Sequence, residues 1–119
     1  LSDQRKNQRQ EVINLLAITE RGTGQILDIS RKGFSFGCLY PHTFPHEFYL
    51  DILDAKGSHI KKLKVRKIHE INGNDQDPLE IFELVIGVEF LDLTASQSHE
   101  LNFLLETMET SDYAYSELI

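Results

Sequence analysis

The chain has 119 residues, 40% apolar and 26% charged, which fits a single soluble globular domain able to bury a core without disulfides or a structural metal. Its formal net charge of −7 argues against sequence-independent binding to DNA or RNA, where phosphate contacts need a basic surface. A single cysteine, Cys38, excludes an intrachain disulfide and makes a reducing cytoplasm the expected compartment.

No run of about 18 apolar residues is present, so no membrane-spanning helix is expected. The first residues lack the layout of a signal peptide, and the missing initiator Met is compatible with a piece of a longer protein. Residues 1–11 are polar and of mixed charge, and read as a flexible arm. Val12 to Thr19 is apolar and β-branched, which predicts a first strand buried on both faces. Arg21-Gly22-Thr23-Gly24 is turn chemistry, and Gln25 to Ile29 reads as a second strand.

Phe34, Phe36 and Cys38 alternate with Ser35 and Gly37, giving a third strand with one apolar face. Pro41 and Pro45 then break the chain into a loop. Phe48 to Leu53 predicts a fourth strand, closed by a turn at Asp54-Ala55-Lys56-Gly57. A long fifth strand, His59 to Ile71, carries apolar residues at Ile60, Leu63, Val65 and Ile68. That spacing slips from two to three twice, which predicts a bulge or bend. Asn72-Gly73-Asn74-Asp75 is a hairpin signal.

Phe82, Leu84, Ile86, Val88 and Phe90 predict a sixth strand. Thr94 is a fair N-cap for a helix from Ala95, whose apolar stripe is Leu101, Leu104, Leu105 and Met108. The expected fold is all-β: a six-stranded antiparallel β-barrel with a C-terminal α-helix. The barrel and helix would span 12–109, with the arm at 1–11 and a patternless tail at 110–119.

Charge is segregated. Residues 56–67 hold Lys56, Lys61, Lys62, Lys64, Arg66 and Lys67 with no acid, whereas 100–119 hold five acids and no Lys or Arg. Such blocks read first as solvated faces, and as surfaces that could pair within or between chains. No nucleophile elbow, phosphate loop or dinucleotide fingerprint is present, so an enzyme is not expected. Cys38, His42 and His46 are spaced by four, but Pro41 and Pro45 forbid the helix that would align them and a fourth ligand is missing. No metal site is predicted there.

Two short patterns remain. Arg5 and Arg9 form R-x-x-x-R in the arm, and Asp28-Ile29-Ser30-Arg31-Lys32-Gly33 reads D-x-S-x-x-G between the second and third strands. Alone, the hexapeptide suits an ordinary β-turn, since Asp and Ser bond locally and Gly supplies backbone freedom. Together the two patterns suit a guanine nucleotide. Guanidinium forks grip phosphate oxygens or the O6/N7 edge of guanine, a carboxylate accepts from guanine N1 and N2, and a hydroxyl serves either polarity. Residues 1–33 are also mildly basic, at a net +2, against the acidity of the whole.

With the late Gly87-Val88-Glu89-Phe90 strand and the terminal helix, the two patterns resemble those of PilZ domains, over about residues 4–108. That resemblance implies a bacterial, cytoplasmic, non-catalytic receptor for cyclic di-GMP, with no cofactor beyond this ligand. By the same resemblance Arg5 and Arg9 grip the phosphates and guanine edges, Asp28 and Ser30 hold a guanine, and Gly33 keeps the corner open. Gln4, just before the first arginine, bears on whether one ligand or a stacked pair binds, and Arg31 is a further candidate contact. Tyr40 and Tyr49 are candidate stacking aromatics. The resemblance also implies an arm that orders over its ligand, and a protein partner or fused output domain acting in motility, polysaccharide synthesis or adhesion. The alternative is a PilZ-like barrel that binds proteins and no nucleotide.

Overall fold

The computed structural model describes residues 10–11, 14–40, 42–72 and 82–118, with side chains for 14–40, 42–72 and 82–108. Among the described residues, seven strands and one helix follow in order: β1 (Gln10–Glu11), β2 (Leu15–Thr19), β3 (Gly22–Ile29), β4 (Gly33–Cys38), β5 (Glu47–Asp54), β6 (His59–Asn72), β7 (Leu84–Leu91) and α1 (Ala95–Leu118). The ladder runs β3-β2-β5-β6-β7-β4 and closes by a β3–β4 pairing, so six antiparallel strands form a closed barrel. Closure removes the free edges that an open sheet would present. The two-residue β1 lies beside β3, with Gln10 opposite Ile29 and Glu11 opposite Asp28.

Alternation fills the barrel. Ile26, Ile29, Phe34, Phe36, Ile52, Ile60, Leu63, Val65, Ile86 and Val88 are all at most 1% exposed. Phe34, Phe36, Phe44, Phe48 and Phe90 form a chain of ring contacts with centroids 5.0–5.8 Å apart. On α1 the expected stripe is buried against this core at Leu101, Leu104 and Leu105, with Met108 packed beside it.

The start of α1 is a reciprocal capping box. Gln97 N–H donates to Thr94 Oγ1, and Thr94 N–H donates to Gln97 Oε1, both at 3.0 Å. The Gln97 amide also donates to the carbonyls of Lys61 and Lys62, at 2.8 and 3.0 Å, and so ties the helix to β6.

Several expectations are corrected. The first hairpin turns at Glu20-Arg21, not at 21–24. Gly22 (φ +128°) re-enters the ladder opposite Thr19, and Gly24 pairs with Ala17, so β3 begins three residues early. Leu16 is 37% exposed, so β2 is buried on one face only. Ile68 is not a core position; at 56% exposed, it is the extra residue of a bulge in β6. Phe82 precedes β7 rather than starting it. The helix continues to Leu118, past the end of its apolar stripe at Met108. Of the arm expected over 1–11, residues 10–11 belong to the sheet, and 1–9 lie outside the described residues.

Two register slips in β6 match the predicted irregularity. One sets Lys61 and Lys62 against Asp51, with Lys62 at φ +56°. The other lies between Lys67 and His69.

Candidate functional site

Asp28, Ser30, Arg31 and Gly33 fall on one hairpin, the connection from β3 to β4. Ser30 is 2% exposed, the one buried polar side chain among the described residues. Its N–H donates to Gly33 O at 2.8 Å, and its hydroxyl accepts from Lys32 N–H at 3.2 Å and faces Gly33 O at 3.4 Å. The hydroxyl therefore shapes the turn from within, while Arg31 and Lys32 stand exposed at its tip. Lys32 O accepts from Phe90 N–H at 2.8 Å, which fastens the tip to β7.

Gly33 has a reason of its own. It does not need a left-handed backbone, a conformation found among the described glycines only at Gly22 and Gly57. A Cβ at Gly33 would instead overlap Val88 O and lie 2.8 Å from Glu89 Cα. Close approach of β4 to β7, rather than turn freedom, demands glycine here.

Asp28 belongs to a row that crosses the sheet. Register places Glu11, Asp28, Ser35, Gly87 and His69 side by side on β1, β3, β4, β7 and β6. The flanking residues Ile29, Phe34, Ile86 and Val88 point into the core, so the row lies on the outer surface. A bulge sits next to the row in each of two strands. Without the slip at Leu27, Leu27 would stand opposite Ser35; with it, Asp28 does. Without the slip at Ile68, Ile68 would stand opposite Gly87; with it, His69 does. Each bulge thus replaces an apolar residue with a polar one on the same patch.

Two rings bound this patch. His69 covers Gly87, where a Cβ would lie 2.8 Å from both ring nitrogens, and Phe82 covers Gly37, where a Cβ would lie 2.6–2.8 Å from three ring carbons. Arg66 and Glu89 form an ion pair on the β6–β7 side, with Glu89 in register with Gly33. The patch therefore offers a carboxylate, a hydroxyl and two flat rings around small residues, a set suited to a planar, hydrogen-bonding ligand.

Sequence reasoning did not assign Ser35, His69 or Phe82 to the site, and used Gly87 only as part of the late Gly87-Val88-Glu89-Phe90 strand. The bulge at Ile68 was its one available signal. Arg5, Arg9 and Gln4 lie outside the described residues. Tyr40 and Tyr49 are 71% and 60% exposed, but neither is in the row; Tyr49 sits on β5, three strands round the barrel from β4. Cys38 is buried and burial raises its thiol pKa; among the described residues no group of three or more potential ligands is placed to hold a metal ion. A groove of about 680 Å³ between β6 and the first turn of α1, lined in part by Lys61, Lys62 and Lys64, contains none of the described motif residues. No helix among the described residues is long and apolar enough to cross a membrane.

No protein-family model and no curated protein sequence matches this chain. Solved structures do. The K. pneumonia MrkH–c-di-GMP complex superposes with a TM-score of 0.73 at 13% identity, over 93% of this chain and 55% of the MrkH chain, so this chain spans about half that length. An uncharacterized Legionella protein gives 0.63 at 14% identity, over 89% of this chain and 98% of its own. The PilZ domain of CeSA from a cellulose-synthesizing bacterium gives 0.59 at 18% identity, over 86% and 98%. These likenesses span nearly the whole closed barrel and its helix: the chain has the fold of a PilZ domain.

Proposed function

We propose that this chain is a non-catalytic receptor domain for cyclic di-GMP, which binds on the outer face of β3 and β4 and is gripped by Arg5 and Arg9. The observation that carries the reading is the register of β1. Gln10 stands opposite Ile29 and Glu11 opposite Asp28, so the root of the arginine arm is sewn to the strand that bears the Asp-x-Ser motif. Covalent geometry does the rest. The Cα of Arg9 lies within about 3.8 Å of that of Gln10, and the Cα of Arg5 within about 18 Å. Both guanidinium groups are thereby tethered within reach of the hairpin. The fold supports the same reading, since a structure it resembles is a complex with c-di-GMP.

On this reading the arm supplies the charge and the barrel supplies the shape. Two forked donors meet the phosphates, and Asp28 accepts from a guanine edge. Ser30 contributes by holding the turn, because its hydroxyl is already engaged there. Ordering of the arm on binding is the signal, read by a protein partner or a fused output domain.

Calorimetric titration with cyclic di-GMP tests the proposal. Arg5→Ala and Arg9→Ala should each weaken binding by about 1.5–3 kcal/mol, the usual loss for a charged hydrogen bond. No heat from folded parent protein at micromolar ligand would remove the receptor reading. Parent-like binding by both variants would keep the function but displace the site.

A further inference from the structure

We infer that His69 is the stacking platform of the nucleotide site, holding a guanine base by its imidazole face beside Asp28 and Ser35. The inference rests on the cyclic di-GMP reading and names a residue that neither arginine arm nor hairpin motif contains.

Three observations converge. The first is placement: the bulge at Ile68 turns His69, rather than an isoleucine, onto the row shared by Asp28, Ser35 and Gly87. The second is orientation. The Cβ position of Gly87 would lie 2.8 Å from both Nδ1 and Nε2, closer than a ring meeting the strand edge-on through Cε1 would allow. The imidazole therefore lies face-down on Gly87, and because His69 is exposed its opposite face is open to solvent. The third is the space beside it. Ser35 is the neighbour across one strand and Asp28 across two, with strands about 4.8 Å apart. Because the imidazole itself lies over β7, a purine laid on it extends over Ser35, and the Asp28 side chain reaches from β3 toward its hydrogen-bonding edge across the remainder of about 10 Å. Phe82, equally flat over Gly37, walls the next position along β4.

Histidine rings are used in this way on unstacked bases, and losing an aromatic platform commonly costs about tenfold or more in affinity. A bulge that merely relieved strain would not require a polar aromatic to land on the one residue of β7 without a side chain. Gly87 is the vacancy that lets the ring lie down.

Titration of cyclic di-GMP into the parent, His69→Ala, His69→Phe and His69→Lys tests the inference, with a thermal melt of each to show that the barrel is intact. Alanine should weaken binding about tenfold, phenylalanine should restore it to within about twofold, and lysine should bind as poorly as alanine. The chain has no Trp, so His69→Trp adds a sole reporter whose fluorescence the ligand should quench. Restoration by lysine but not phenylalanine would make His69 a phosphate contact and overturn the inference. So would parent-like binding by His69→Ala, or an unquenched tryptophan in a variant that still binds. Absence of binding by the parent would instead remove the receptor reading itself.

Discussion

Adding one methyl group at Gly33 would drive it into the carbonyl oxygen of Val88 and to 2.8 Å from Glu89 Cα. Both obstacles are backbone, so neither can rotate away, and β4 would have to part from β7 where Gly33 pairs with Glu89. Gly33→Ala should therefore destabilise the barrel by about 1–3 kcal/mol, the range for forced overpacking. A urea denaturation midpoint reads this directly, without ligand. An unchanged midpoint would mean that β4 and β7 have slack here, and that the glycine matters to ligand access instead. Ser30 gives the same lesson from the other side. A motif residue buried to 2% with its hydroxyl engaged in its own turn sets where Asp28 and Arg31 stand, and does so before any ligand arrives.

At the scale of elements, β6 is held in an irregular path by its neighbours. Asp51 on β5 accepts from Lys62 N–H at 2.9 Å through one oxygen and meets His59 Nε2 at 2.9 Å through the other. Burial alone would raise the Asp51 pKa, but these hydrogen bonds and the charges of His59 and Lys61 together outweigh it and hold the carboxyl below its usual range. A carboxyl depressed in the folded state stabilises the fold above its unfolded pKa, about 3.9, and that contribution is lost as pH falls through the folded value. Denaturant midpoints followed downward from about pH 6 should thus drop more steeply below about pH 4 in the parent than in Asp51→Asn. Parallel curves would show that the carboxylate charge is irrelevant to the bulge.

Gln97 secures the same bulge from the helix side. Its side chain caps α1 and donates to two β6 carbonyls, so Gln97→Ala removes a capping partner and leaves Lys61 O and Lys62 O without it. Thr94→Ala removes the cap alone, for about 1 kcal/mol. The glutamine variant should lose more, about 1–2 kcal/mol, since two further hydrogen bonds go with it. Chemical denaturation of the pair, side by side, checks the order; a reversed order would leave the tie to β6 without energetic weight.

These elements also show what a linear chain displays and what it hides. Period-two alternation from Phe34 to Cys38 and from Leu84 to Phe90 was readable because each strand has one face in the core. The double slip in the spacing of Ile60, Leu63, Val65 and Ile68 announced bulges, and Thr94 announced the cap. Gly22 and Gly24 misled because glycine usually marks turns, whereas here Gly24 makes room for the Phe36 ring. The structural reason for Gly33 was hidden because its obstacle, Val88, is 55 residues away in the chain. His69 was hidden similarly, because only strand pairing shows that it lies on Gly87. Local periodicity writes the elements; contacts between distant strands write the site.

The whole molecule carries a charge of −7 and is proposed to bind a dianion through Arg5 and Arg9, so on that proposal its long-range field opposes the ligand while the two arginines attract it locally. Distance decides which dominates. The barrel and helix extend 38 × 35 × 30 Å, which puts the mean of the net charge about 20 Å from a ligand on the β3–β4 face. Treated as one centre in water, −7 against −2 at that distance opposes binding by about 1.5 kcal/mol at 0.01 M ionic strength and by only about 0.2 kcal/mol at 0.15 M. The proposed arginine contacts, which would be at hydrogen-bonding distance, would sit inside the screening length at both concentrations and weaken only when it shrinks to about 3 Å near 1 M. Affinity for cyclic di-GMP should therefore rise from 0.01 to 0.15 M salt, by up to about tenfold, and fall again toward 1 M. Neutralising two remote acids on α1, as in Glu100→Gln with Glu106→Gln, should raise the low-salt affinity and leave the 0.15 M value nearly unchanged. Calorimetry at three ionic strengths reads both effects. A steady fall with salt, identical in parent and double variant, would mean that the basic motif-bearing third of the chain alone sets the field the ligand meets.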